Sequence, residues 1–146
     1  MRLADYIDTA AAARAVLRDW NNQLFKADCG RDRITELDAK LGARVSRADK
    51  PRVSGGGGAG DAVAARLDKR ELAKKGYQLA RDFLDELEPA WRLLTDEERL
   101  MLTARYVDRD EGRGVEKIMD ALYIGKTEAY RRSDLALGRL AELLFW

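Results

Sequence analysis

The sequence contains no histidine and only one cysteine, Cys29. Histidine is the most common metal ligand and general base in proteins, and a single cysteine cannot form a disulfide within the chain. We therefore expect no metal site, no cofactor and no catalytic residues, and we predict that the protein is not an enzyme. Because no histidine is present to activate it, Cys29 is expected to be a small, partly buried side chain.

The chain also lacks an excess of charge of either sign. Its 27 Lys and Arg residues against 26 Asp and Glu residues give a formal net charge of +1, which offers no general attraction to phosphate or to anionic membranes. Any nucleic-acid binding must therefore come from a local surface. No long apolar run is present, and Asp5 and Asp8 precede the early alanine-rich stretch. We expect neither a signal peptide nor a membrane span, and a cytoplasmic location.

Proline is scarce, with 2 residues, whereas charged residues make up 36% and apolar residues 46% of the chain. This composition is typical of a soluble, helix-rich protein. The stretch VSGGGGAGDA at 53–62 is dense in glycine, which loses much backbone entropy in a helix. It predicts a glycine-rich linker at 51–61 between two long helical regions.

Apolar residues recur at steps of three and four on both sides of this linker, as they do along one face of a helix. The first stripe contains Leu17, Trp20, Leu24, Ala27, Ile34, Leu37, Leu41 and Val45. The second contains Ala73, Tyr77, Ala80, Leu84, Leu87, Trp91 and Leu94, and Leu79 and Phe83 are expected to widen it. The two stripes predict a long helical hairpin, or coiled coil, over residues 1–94, with pairing either within or between chains.

Two residues are expected to interrupt these helices. Gly30 lies between two halves of the first stripe and is expected to kink it. Pro89 removes a helical hydrogen bond, so it predicts a kink or a helix boundary near Leu87–Pro89.

The last third of the chain predicts three shorter helices. Thr95 and Glu98 have the spacing of a capping box, so a helix is expected from there through Tyr106. The charged stretch at 108–114 contains two glycines and predicts a loop. A short helix and a final helix ending at Trp146 follow, separated by a tight turn at Ile124-Gly125. Residues 95–146 therefore predict a helix-turn-helix.

In a helix-turn-helix the first turns of the last helix project outward, and their chemistry here suits DNA. Arg131 is able to bond guanine or phosphate with two donors, and Lys126 is able to meet a phosphate. The candidate DNA-binding residues are Lys126, Thr127, Glu128, Tyr130, Arg131 and Asp134. The spacing alone leaves open that these charges are the solvated face of an ordinary amphipathic helix.

The segments MLTARYVD and VEKIMDALYIGKTEAYRRSDLALGRLAELL resemble region 4 of bacterial sigma factors. They are also similar to phage and prophage regulators that carry this module behind a coiled coil, the RinA/ArpU-type late-gene activators and their relatives. The resemblance covers about residues 95–144. It implies a recognition helix at about 126–145 in the major groove. The sequence departs from the family pattern at Tyr123, where a turn glycine is usual, at Gly125, where serine is usual, and at Arg132, where an apolar residue is common.

The predicted fold is therefore all-α, with a long N-terminal helical hairpin followed by a three-helix, sigma-region-4-like helix-turn-helix. The leading functional hypothesis is a sequence-specific, DNA-binding transcription regulator of phage or prophage type. Its expected partners are double-stranded DNA, RNA polymerase and a second copy of the chain bound through the hairpin, with no membrane partner. Two alternatives remain: a DNA-packaging component resembling phage small terminase subunits, and a helical adaptor that contacts RNA polymerase or another protein without binding DNA.

Overall fold

The computed structural model describes residues 7–48, 58–108 and 112–146, and all regular structure in these ranges is helical. The prediction of an all-α fold is confirmed for this part of the chain. The helices are α1 (Thr9–Ala48), α2 (Gly58–Leu93), α3 (Asp96–Leu102), a π-helical segment (Thr103–Val107), α4 (Gly114–Leu122) and α5 (Lys126–Phe145).

The chain forms two compact units. One combines Met1–Asn22 with Phe83–Trp146, and the other is Gln23–Asp82. The end of α2 at Leu93 matches the expected end of the hairpin region at residue 94. The division into domains at 1–94 and 95–146 stays a prediction.

In the unit Gln23–Asp82, α1 and α2 run antiparallel. Gly30 faces Tyr77, whereas Asp38, further along α1, forms an ion pair with Arg70, which lies earlier along α2. Ala27 and Ala80 are buried in the same unit. These parts of α1 and α2 therefore lie against each other, and pairing of the two whole stripes within or between chains stays a prediction.

Gly30 lies within α1, which is continuous from Thr9 to Ala48, and the expected kink at this residue stays a prediction. Its role is steric. A Cβ atom at this position would lie 2.8 Å from Cδ2 and 3.1 Å from Cβ of Tyr77. The absence of a side chain at Gly30 lets the tyrosine ring pack against the backbone of α1.

Two expected helix boundaries are wrong. The linker predicted at 51–61 lies partly outside the described residues, and its last part, from Gly58, is the beginning of α2. The first four N–H groups of a helix have no intrahelical acceptor, and an acidic residue such as Asp61 early in the helix sequence is typical of a helix N-terminus. At the other end, α2 continues through Pro89 to Leu93. Pro89 and Asp85 are both exposed, so water is able to bond the backbone carbonyl that the proline leaves without a donor.

Three side chains lie in different surroundings from those expected. Cys29 is exposed rather than partly buried. Leu79 does not widen the buried stripe, since 67% of it is exposed, and Leu24 is also exposed. The position of a residue along a helix determines which face of the helix it occupies. How much of that face a neighbouring helix covers depends on how the two helices pack.

The main hydrophobic core belongs to the other unit. Its largest fully buried apolar side chains come from every helix there: Leu17, Leu87, Leu102, Ile118 and Leu140. Trp20 and Trp91 pack edge to face, with ring centroids 4.7 Å apart, against this core. Both tryptophans of the predicted apolar stripes therefore contact the core.

The segment before the candidate site begins with the predicted capping box. Oγ1 of Thr95 accepts from the amide of Glu98, whose carboxylate accepts from the amide of Thr95. The predicted helix through Tyr106 is present, but its last part is π-helical, and the Asp108 amide donates to the Thr103 carbonyl. Because a Cβ at Gly114 would collide with the Ala104 carbonyl, glycine allows α4 to begin close against this segment.

We predict that Gly30→Ala and Gly42→Ala have opposite effects on stability. Both glycines lie in α1, but a Cβ at Gly42 meets nothing within 4 Å. Gly42→Ala should stabilise the protein by up to about 1 kcal/mol through helix propensity. Gly30→Ala should lose this gain, because displacing Tyr77 costs about 1–3 kcal/mol. Urea unfolding measures both, and equal gains in the two variants would contradict the close approach of the helices.

Candidate nucleic-acid interface

The turn between α4 and α5 consists of Tyr123, Ile124 and Gly125. Tyr123 has a left-handed conformation, with φ 55° and ψ 46°, and is the only described residue other than glycine with a positive φ. The amides of Tyr123 and Ile124 both donate to the carbonyl of Met119, which ends α4. Gly125 is then extended, and its carbonyl accepts from Ala129 to begin α5. The chain is therefore two helices joined by a tight turn here, not one continuous helix.

The first turns of α5 bury one narrow face. Ala129 and Ser133 are each 0% exposed, and Ala136, Leu137 and Leu140 continue the same face into the core. The apolar members of this face, Ala129, Ala136, Leu137 and Leu140, have the spacing of residues on one side of a helix, whereas Ser133 is a polar residue that this spacing does not predict. The remaining faces of the first two turns are left open to solvent.

Five of the six candidate DNA-binding residues are exposed: Lys126, Thr127, Tyr130, Arg131 and Asp134. The sixth, Glu128, is half-buried. The structure thus presents all six residues on the first turns of one helix. Their assignment to DNA binding stays a prediction.

Glu128 neutralises part of this surface. Its Oε2 accepts from Nε of Arg131 at 2.9 Å, and its Oε1 accepts from Nη2 of Arg131 at 2.5 Å. The same Oε1 accepts from Nε of Arg132 at 2.8 Å. One carboxylate therefore pairs with two guanidinium groups, and the three side chains together keep a single positive charge.

These contacts shift the pKa values of Glu128 and Arg131. The hydrogen bonds from Arg131 and then from Arg132, with their positive charges, lower the pKa of Glu128 to about 2, against a smaller opposing effect of desolvation. The same hydrogen bond and the charge of Glu128 raise the pKa of Arg131. Glu128 is thus ionised throughout the physiological range.

Arg105, in the π-helical segment, is a site residue that the sequence analysis did not include. Its Nη1 donates to Oγ of Ser133 at 2.7 Å and to Oδ1 of Asp134 at 2.8 Å. Its guanidinium carbon lies 4.9 Å from the ring centroid of Tyr106 and 5.0 Å from that of Tyr130. Arg105 therefore contacts two of the candidate residues, Tyr130 and Asp134. Only the tertiary contact with α5 distinguishes it from an ordinary surface arginine.

Lys126 differs from the arginines of this surface. It is the first residue of α5 and is exposed, and within the described part of the chain it has no hydrogen bond or ion pair. A cation at a helix N-terminus is electrostatically unfavourable unless an anion is bound there. Gly125 also provides no side-chain cap for the first amides of α5. This corner of the surface combines an unpaired ammonium group with uncapped backbone donors.

None of the described helices has the length and apolar character needed to cross a membrane. Comparisons of the chain with family models, with curated proteins and with solved structures find no match.

We predict that Tyr123→Gly stabilises the protein relative to Tyr123→Ala. The side chain of Tyr123 is 94% exposed, so neither change removes packing. Glycine adopts the left-handed conformation without the penalty that a Cβ imposes, whereas alanine keeps that penalty. The expected difference is about 1 kcal/mol in the free energy of unfolding, measured by thermal or urea denaturation. Equal stability of the two variants would show that this turn is not left-handed.

We also predict that Arg131→Gln raises the pKa of Glu128 more than Arg132→Gln does, because Arg131 contributes the larger effect. The carboxyl carbon of Glu128 in the wild type should titrate near pH 2 in a carbon-detected NMR experiment. Since its pKa is lowered by folding, the stability due to this group is complete above about pH 4.5 and is lost as the pH falls toward 2. Equal shifts in the two variants, or none, would contradict the observed pairing.

Proposed function

We propose that this protein is a sequence-specific DNA-binding transcription regulator of phage or prophage type, which places α5 in the major groove. A single observation carries the proposal: the turn at Tyr123–Gly125 is followed by a helix whose first two turns bury only Ala129 and Ser133. Polar and aromatic side chains occupy the open faces. This is the arrangement that a recognition helix requires.

Lys126 and the uncapped amides of α5 are suited to a DNA phosphate. A phosphate at this N-terminus would accept from backbone donors and would remove the unfavourable interaction of Lys126 with the helix dipole. Such a contact would fix the register of the helix on the duplex without distinguishing its sequence.

Three further side chains are suited to the base edges in the major groove. Arg131 has donors for guanine, and Thr127 and Tyr130 offer hydroxyl groups as well as apolar atoms for a thymine methyl. Tyr130 is 40% exposed while its ring also packs against Arg105, so it is both accessible and held in place. Asp134 bonds Arg105, and in this function it would orient that arginine rather than contact DNA directly.

The proposed partners beyond DNA are RNA polymerase and a second copy of the chain. The resemblance of residues 95–144 to sigma region 4 supports the first. Leu72 and Leu79 support the second, since each is 67% exposed and the two lie one above the other on α2. An apolar pair of this kind is suited to contact between hairpins.

A helical adaptor without DNA-binding activity is the second candidate. The observation that favours it is the pairing of Arg131 and Arg132 with Glu128, together with the net charge of +1, because both reduce the attraction to phosphate. In this function the exposed face of α5 would contact a protein.

We predict that Lys126→Ala and Arg131→Ala each weaken binding to duplex DNA. Lys126→Ala, which loses a phosphate contact, should reduce the slope of log affinity against log salt by roughly one unit, whereas Arg131→Ala, which loses a base contact, should cost about 1–3 kcal/mol of binding free energy. Lys74→Ala, at an exposed position of α2, is the matched control and should leave affinity unchanged. Fluorescence anisotropy over a range of salt concentrations measures these effects. A wild-type protein that does not bind DNA at low salt would refute the proposed function and favour the adaptor.

A further inference from the structure

The pairing of Glu128 with Arg131 uses one particular edge of the guanidinium group. The carboxylate accepts from Nε and Nη2, which form the side-on edge of the guanidinium group. The adjacent end-on edge, formed by Nη1 and the second hydrogen of Nη2, has no partner among the described residues. The Arg131 side chain is 59% exposed, so this edge is accessible to a ligand.

An edge with two parallel N–H donors matches guanine. In the major groove guanine presents O6 and N7 as adjacent acceptors, which an arginine bonds with two donors at once. A long arginine side chain that is already held by a carboxylate loses less conformational freedom when it forms this contact.

Glu128 itself is poorly suited to recognise a base. Oε1 already accepts from Arg131 and Arg132, and Oε2 accepts from Arg131. Contact with the amino group of cytosine would compete with these bonds. The hydrogen bonds of this carboxylate therefore orient Arg131 and Arg132 rather than contact a base.

We propose that Glu128 is a positioning residue that holds the free edge of Arg131 toward a guanine, so that the preferred DNA of this protein contains guanine at one defined position. This inference rests on the proposed function, and it adds the identity of one base and the residue that enforces it.

The test is selection of bound sequences from a random duplex pool with the full-length wild type and four variants. Glu128→Gln keeps the size of the side chain but removes its charge. Arg131→Lys keeps the positive charge but removes the forked donors. The double variant combines the two changes, and Glu142→Gln changes an exposed glutamate of α5 for which no partner is seen among the described residues.

The wild type should enrich a motif with one guanine that depends on residue 131. Arg131→Lys should reduce the preference for that guanine by about fivefold or more while keeping the salt dependence of binding. Glu128→Gln should reduce the same preference without altering the other positions, and it should have no further effect in the double variant. Glu142→Gln should give the wild-type motif. Circular dichroism verifies that each variant is folded.

Other outcomes would overturn the inference in distinguishable ways. Tighter binding of Glu128→Gln to all sequences, with an unchanged motif, would show that Glu128 only repels DNA. Loss of a cytosine preference would show that Glu128 contacts a base itself. DNA binding without a guanine that depends on residue 131 would refute this inference while DNA binding itself stands. If the wild type binds no DNA, the proposed function fails and the inference fails with it.

Discussion

The candidate site depends on how closely α5 packs against the helices that precede it. Ala129 and Ser133 lie at the closest part of this contact, and both are fully buried. Because successive residues of a helix are rotated by about 100°, burying these two positions forces their neighbours toward solvent. A larger side chain at either position would move the helix outward. Lys126, Thr127 and Arg131 are exposed because they lie on the other sides of the helix.

The turn before α5 sets the direction in which α5 runs after the end of α4. The left-handed conformation of Tyr123 ends α4, and both amides that follow the helix donate to Met119. Tyrosine is a costly residue for this conformation, and its exposed ring makes no buried contact in compensation. The core must therefore hold the turn in place. Ile124 within the turn and Leu122 just before it are partly buried and pack against this core.

Charge in this protein is balanced locally. Arg105 pairs with Asp134, Arg139 pairs with Glu98, and Glu128 pairs with Arg131 and Arg132. Exposed ion pairs contribute only about 0–1 kcal/mol each to stability, so their main effect here is to orient side chains. Arg139 also donates to the carbonyl of Leu93, so that α5 is tied to the junction of α2 and α3. A chain with almost no net charge nevertheless has a surface with defined donors at defined positions.

The local rules of helix formation are sufficient to predict several features of this structure. The spacing of Thr95 and Glu98 predicts the capping box, the glycine at 125 predicts the break before α5, and the apolar positions from Ala129 to Leu140 predict its buried face. Each of these depends on residues within a few positions of one another, so the sequence alone determined them. The exposed candidate residues follow from the same periodicity.

Only the tertiary structure decided the remaining features. Gly30 is a point of contact with Tyr77, and Arg105 reaches Ser133 and Asp134 from a different helix. The continuation of α2 through Pro89 and the exposure of Cys29 also depend on which surfaces the neighbouring helices cover. Helical periodicity determines the angle at which a side chain leaves its own helix. What that side chain meets depends on residues distant in the chain, which are brought near only when the helices pack.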